Sequence, residues 1–139
     1  MLKLDFGRPV KEILAHAVQR EVNRCAEKMT ESVLQHTPIW TGVMINSWSW
    51  SHNVPVLKTP PVWEGVMVKA SNGKEYPSNP LPRPDYEEVL PNFTYEKGEF
   101  PTIFLTCSVD YAFEVDQGVG RYFPRQKRDI VHHAMDSVT

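Results

Sequence analysis

The stretch Leu14-Ala-His-Ala-Val18-Gln-Arg-Glu-Val22-Asn-Arg-Cys25-Ala-Glu-Lys-Met29-Thr-Glu-Ser-Val33 decides the fold. Leu14, Val18, Val22, Cys25, Met29 and Val33 recur at spacings of four, four, three, four and four, which sets them in one stripe along an α-helix. Lys11, Gln19, Arg20, Glu27, Lys28 and Glu31 fall on the opposite face and stay wet. Working outward, Pro9 suits the first helical turn, where its missing N–H costs nothing. Pro38 pushes the residue before it out of the helical region. The spacing therefore predicts a helix over residues 9–36, about 40 Å long at roughly 1.5 Å per residue. Its stripe is expected to face a sheet, each large apolar side chain contributing roughly 1.5–3 kcal/mol. A charge placed in it, such as Val22→Asp, is expected to abolish folding.

Strands follow the helix. Asn46-Ser-Trp-Ser-Trp-Ser-His52 alternates strictly, with Trp48 and Trp50 on one face and serines on the other. Residues 62–70, with Val62, Val66, Met67 and Val68, predict a second strand. The third and strongest, Thr102-Ile-Phe-Leu-Thr-Cys-Ser-Val-Asp110, is rich in β-branched and aromatic residues and bounded by Pro101. Nine of the 12 prolines lie between Pro55 and Pro101, and Asn72-Gly73 marks a turn. Residues 71–101 therefore read as an insertion arm of extended backbone, expected to serve assembly and not folding. Tyr76, Tyr86, Phe93 and Tyr95 are its candidate subunit-interface residues. Gly118 and Gly120 predict a loop, and residues 125–138 a C-terminal helix with Ile130, Val131, Ala134 and Met135 as its apolar side. The expected fold is a single α+β domain spanning residues 1–139. In it a long N-terminal helix and a shorter C-terminal one pack on a small, mostly antiparallel sheet carrying the proline-rich arm.

The composition is that of a soluble globular domain: 139 residues, 41% hydrophobic and 23% charged. A formal net charge of −2 and a pI of about 6.2 remove the broad basic excess that marks nucleic-acid binding. No apolar run approaches the ~20 residues of a membrane span. Residues 1–9 lack the apolar core of a signal peptide, so the protein is expected to be made in the cytoplasm. Cys25 and Cys107 sit in no metal-ligand spacing and read as small buried hydrophobes.

Two local patterns carry a resemblance. Pro38-Ile-Trp-Thr41-Gly42-Val-Met44-Ile-Asn-Ser47, between the helix and the first strand, is similar to the Pro-x-x-Thr-Gly-x-Leu-x-x-Ser signature of phage tail-completion and neck proteins. Val109-Asp-Tyr111-Ala112-Phe-Glu-Val115-Asp116-Gln-Gly118 resembles that family's second signature, a Tyr-Ala pair followed by an apolar residue, an acidic residue and a glycine. The order of parts matches from about Val10 to Met135. The chain departs in carrying Val43, Met44, Ile45 and Asn46 where basic residues are common in the family, and Glu114 where an aromatic one is. The resemblance implies a virion protein of the phage neck, a homo-oligomeric ring joining head to tail. Its partners would be a portal or head-closure protein on one side and a tail terminator or tail tube protein on the other. DNA would only pass through the channel, with no membrane, cofactor or catalysis involved. The residues themselves have structural uses: Thr41-Gly42 suits a tight reversal with positive φ, and Ser47 a hydrogen bond to backbone. Tyr111 and Ala112 suit close packing. Asp116 is expected to accept N–H groups in the loop at Gly118 and Gly120.

Catalytic and metal readings fare worse. His132 and His133 point about 100° apart on a helix; His132 with Asp136 at i, i+4 supplies two ligands and no third. Asp110, Glu114 and Asp116 read as capping carboxylates. Ser47, Ser49 and Ser51 lie in no nucleophile elbow, and there is no phosphate-binding glycine loop. Trp48 and Trp50 read as core. The alternative to a neck ring is a small non-enzymatic binding or accessory module, such as a minor tail or capsid-associated protein, sharing the fold.

Overall fold

The computed structural model describes residues 7–91, 102–119 and 127–139, with side chains from residue 12 onward. In chain order it has α1 (Gly7–His36), β1 (Trp48–His52), β2 (Met67–Lys69), β3 (Glu75–Pro77), α2 (Tyr86–Val89), β4 (Ile103–Cys107), α3 (Ala112–Gln117) and α4 (Ile130–Asp136). This is the expected α+β fold, with a long N-terminal helix, a shorter C-terminal one and antiparallel strands. No described helix is long and apolar enough to cross a membrane.

Among the described side chains of α1, the fully buried ones lie in its C-terminal half. Ala26, Thr30, Val33, Leu34 and Thr37 are buried, whereas Ile13 and Leu14 are 65% and 55% exposed. Val18 and Val22 are half-buried. The expectation that the whole stripe from Leu14 to Val33 faces the sheet is therefore corrected. Length is one reason: α1 has 30 residues, about 45 Å, whereas the five-residue β1 spans about 17 Å. Hydrogen bonding is the other. Trp48 and Trp50 point from β1 toward α1, and their indole N–H groups donate to Thr37 Oγ1 and Thr30 Oγ1, both at 2.9 Å. A buried indole N–H needs an acceptor, so threonines occupy positions that an apolar count passes over. Trp48 is core, as the alternation predicts, while Trp50 on the same face is half-buried.

Strand boundaries and pairing differ from the sequence reading. Residues 45–47 form a 3-10 turn, closed by Ser47 N–H on the Met44 carbonyl at 3.0 Å, and β1 starts at Trp48. β1 pairs antiparallel with β4, Trp48 opposite Cys107 and Trp50 opposite Leu105. β2 joins neither; it forms its own hairpin with β3, Met67 opposite Pro77. The expected single sheet is two two-stranded ones, because Asn72-Gly73 closes a local turn, with Gly73 at φ +81° and Ala70 N–H on the Lys74 carbonyl at 2.8 Å.

The proline-rich arm is also corrected in its described part. Residues 80–91 lie back along the body: Leu81 N–H donates to the Thr41 carbonyl at 2.8 Å, and Asn46 Nδ2 donates to the Pro82 carbonyl at 2.9 Å. The Arg83 guanidinium donates to the Leu34 carbonyl. α2 touches both α1 and β1. The segment belongs to the fold, so removing it is expected to destabilise the domain. Phe93 and Tyr95 lie outside the described residues, as does Gly120.

The core gathers Val33 of α1, Met44, Trp48 of β1, Val109, Val115 of α3, and Ile130 and Ala134 of α4. α3 is a helix that the sequence reading does not assign, ending at the loop expected at Gly118, and α4 is shorter than the predicted residues 125–138.

Candidate functional site

Part of the first pattern (Pro38, Trp40, Thr41, Gly42 and Met44) and one residue of the second, Tyr111, line a common cavity. The first runs along the turn that follows α1, where Thr37 Oγ1 and N–H both donate to the Val33 carbonyl and Pro38 bars further helix. Gly42 then takes φ +83°. A Cβ there would strike the Leu81 carbonyl oxygen and lie 2.7 Å from the Leu81 Cβ. Glycine is thus required twice, by the backbone conformation and by the segment crossing it. Ser47 is fully buried and donates to the Val43 carbonyl at 2.6 Å, fixing the entry to β1.

The second pattern is a helix device. Gly118, at φ +71°, ends α3 with its N–H on the Val115 carbonyl at 3.2 Å, and Val119 N–H reaches the Glu114 carbonyl at 3.0 Å. These two bonds make a Schellman closure. Among the described residues Asp116 takes no N–H of Gly118 or Val119, and Gly120 of the expected loop lies outside them. The Asp116 carboxylate accepts the N–H of Ile130, the first residue of α4, and its carbonyl accepts Arg128 and Asp129 N–H groups at 2.9 and 3.2 Å. Asp129, directly before α4, sits at φ +50° and makes no cap hydrogen bond with its side chain; Asp116 supplies the cap from across the core. Asp116→Ala is expected to lower stability by about 1–2 kcal/mol. Glu114→Ala, at an exposed side chain, should stay within about 0.5 kcal/mol. Urea midpoints of the two variants check this pair.

Between the turn and the β2–β3 hairpin lies a cavity of about 420 Å³. Pro38, Trp40, Thr41, Gly42 and Met44 form one wall, Trp63, Met67 and Glu75 the other, and Tyr111 closes it. Ala112, next to Tyr111, packs against the core. The rings are held in place: Trp63 Nε1 donates to the Ser78 carbonyl at 2.8 Å, and Trp40 leans on Tyr76 with centroids 6.1 Å apart. A Cβ at Gly65 would strike the Trp63 ring, so this glycine makes room for it. Burial pushes the Tyr111 phenol above its usual range, with Cys107 and Asp110 adding to the shift. The two-pattern reading predicted none of Trp40, Trp63, Met67 or Glu75 as site residues; the only signal in the sequence is the aromatic and methionine content on either side of the prolines.

The other candidates do not converge. His132 pairs with Asp136 at 3.2 Å on an exposed face, while His133 stacks on His36 with centroids 4.0 Å apart. Among the described residues no three His, Cys, Asp or Glu side chains gather as metal ligands. Tyr86 lies beside Glu27 and Glu31, its phenol raised first by burial and then by those carboxylates. Burial pushes the Cys107 thiol up to about 11, which leaves only ~10⁻⁴ of it as thiolate at pH 7. Ellman's reagent is therefore expected to titrate Cys25 well before Cys107 in the folded protein. Equal rates would contradict the placement of Cys107.

No protein-family model, no curated protein and no solved structure matches the chain.

Proposed function

We propose that this chain is a structural protein of a tailed-phage virion, one subunit of a ring at the joint between head and tail, without catalysis. The observation that supports it best is a stretch of apolar surface the folded chain leaves uncovered. Val54, Val56, Leu57, Val62, Val66 and Val68 are all exposed, Leu57 to 66% and Val62 to 75%. Six large apolar side chains open to water within 15 residues exceed the scattered exposure normal for a monomer, and a neighbouring subunit would cover them. Phe113 and Val119, 73% and 65% exposed near α3, offer a second apolar region. A closed ring needs two such complementary patches on each subunit. The two sequence patterns add to this: their residues cap, turn and pack, as in a scaffold for assembly. The ring would contact a portal or head-closure protein and a tail terminator or tail tube protein, with DNA passing through.

Electron microscopy of particles from a phage lacking this gene tests the role. Filled heads and finished tails lying unjoined are expected. Normal, joined and infectious virions would overturn it and favour an accessory binding module.

A further inference from the structure

We propose that the cavity between the β2–β3 hairpin and the turn after α1 is a binding site for an arginine side chain presented by a partner polypeptide. This goes beyond the neck reading and rests on the chemistry of the walls. The valines beside the cavity are ones that the neck reading gives to a neighbouring subunit, so in a ring that subunit would be the polypeptide.

Three aromatic residues (Trp40, Trp63 and Tyr111) and two methionines (Met44 and Met67) line the space, with one acidic residue, Glu75, among them. The Glu75 carboxylate makes no ion pair or hydrogen bond among the described residues. A neutral apolar ligand would make no use of that carboxylate, which stands exposed at the cavity's rim. An anion would be repelled. A cation satisfies both features, lying on the electron-rich ring faces while pairing with Glu75. Among cations the guanidinium fits best. It is flat and stacks on indole, it is weakly hydrated, and its fork matches a carboxylate through two parallel hydrogen bonds. The cavity's 420 Å³ accommodates the head and its methylene stem.

The flanking surface indicates a polypeptide source. Val62, Val66 and Val68, in and beside β2, are exposed next to the wall residues Trp63 and Met67. They give the chain around the arginine an apolar surface to lie on. An arginine anchor in an aromatic slot with apolar surroundings is a common way for interfaces to concentrate binding energy. The site is also pre-organised, since Trp63 is tied to Ser78 and Trp40 is braced by Tyr76. The formal net charge of −2 favours a basic partner.

The test is a fluorescence titration of the full-length protein. Trp40 and Trp63 line the cavity, while Trp48 and Trp50 lie outside it, tied to Thr37 and Thr30. The probe is the blocked tripeptide acetyl-Gly-Arg-Gly-amide, and the control is its citrulline analogue, equal in shape and uncharged. Saturable binding is expected with a Kd of roughly 1–10 mM, at least about tenfold weaker for citrulline. Glu75 is exposed on a hairpin, so Glu75→Gln is expected to keep the wild-type melting temperature. It should weaken arginine binding about tenfold or more, and Glu75→Lys should abolish it. Equal binding of arginine and citrulline peptides overturns the proposal, as does wild-type affinity in Glu75→Gln. So does the lack of saturation up to about 100 mM. Tighter binding of choline than of the arginine peptide also overturns it and makes the cavity a cage for small quaternary cations. None of these outcomes depends on particle morphology, so the neck role stands or falls separately.

Discussion

Val33→Asp is expected to leave no folded protein, whereas Leu14→Asp is expected to fold normally. The two positions are equivalent in the apolar periodicity of α1. Val33 is 1% exposed and touches the cluster of Met44, Trp48, Val109 and Ile130, whereas Leu14 is 55% exposed. Burying an unpaired carboxylate, or opening the core to hydrate it, costs several kcal/mol at least. Total stability for a domain of this size is about 5–15 kcal/mol. An exposed substitution on the free half of the helix stays within about 0.5 kcal/mol. Circular dichroism at 222 nm with thermal melting distinguishes them. A cooperative transition in Val33→Asp would refute the core placement. Val22, half-buried, is expected to fall between the two, weaker than the total loss that periodicity alone had implied.

Gly42→Ala carries the second largest effect, about 2–4 kcal/mol of lost stability. Part is the cost of positive φ for a residue with a Cβ, roughly 1 kcal/mol. The remainder, about 1–3 kcal/mol, comes from overlap with the Leu81 backbone, which cannot turn aside as a flexible side chain would. Gly73 is the internal control. Its φ of +81° nearly equals the +83° of Gly42, yet nothing lies within 4 Å of a Cβ built there. Gly73→Ala should therefore show only the conformational part, about 1 kcal/mol. Denaturant midpoints measured side by side separate the two contributions. Equal losses at both glycines would mean that residues 80–82 do not press on Gly42.

Several features were legible in the sequence because they rest on local rules. The long helix follows from a repeat near 3.6 and its end from Pro38. The tryptophans' shared face follows from period-two alternation, and the Asn72-Gly73 turn from the residues that accept positive φ. A glycine at position 42 could be read as a turn. That a second strand of chain crosses it could not, because Leu81 is 39 residues away and nothing local encodes the encounter.

The candidate cavity lay beyond such reading for the same reason. Its walls come from the turn after α1, the β2–β3 hairpin and Tyr111, and no periodicity links Trp40 with Trp63 or Glu75. Asp116 was recognisable as a capping carboxylate, but the helix it caps begins 14 residues later. What the sequence determined by itself is the class of fold and the local hydrogen-bonding and steric devices: helix, turns and alternation. Only the tertiary structure decided which half of α1 is covered and that β2 leaves the main sheet. It alone showed that the proline-rich segment folds back and where the aromatic walls converge. Local backbone preferences act over a few residues and can be read along the chain. Burial and pairing depend on which distant segments arrive, and that is settled when the whole domain packs.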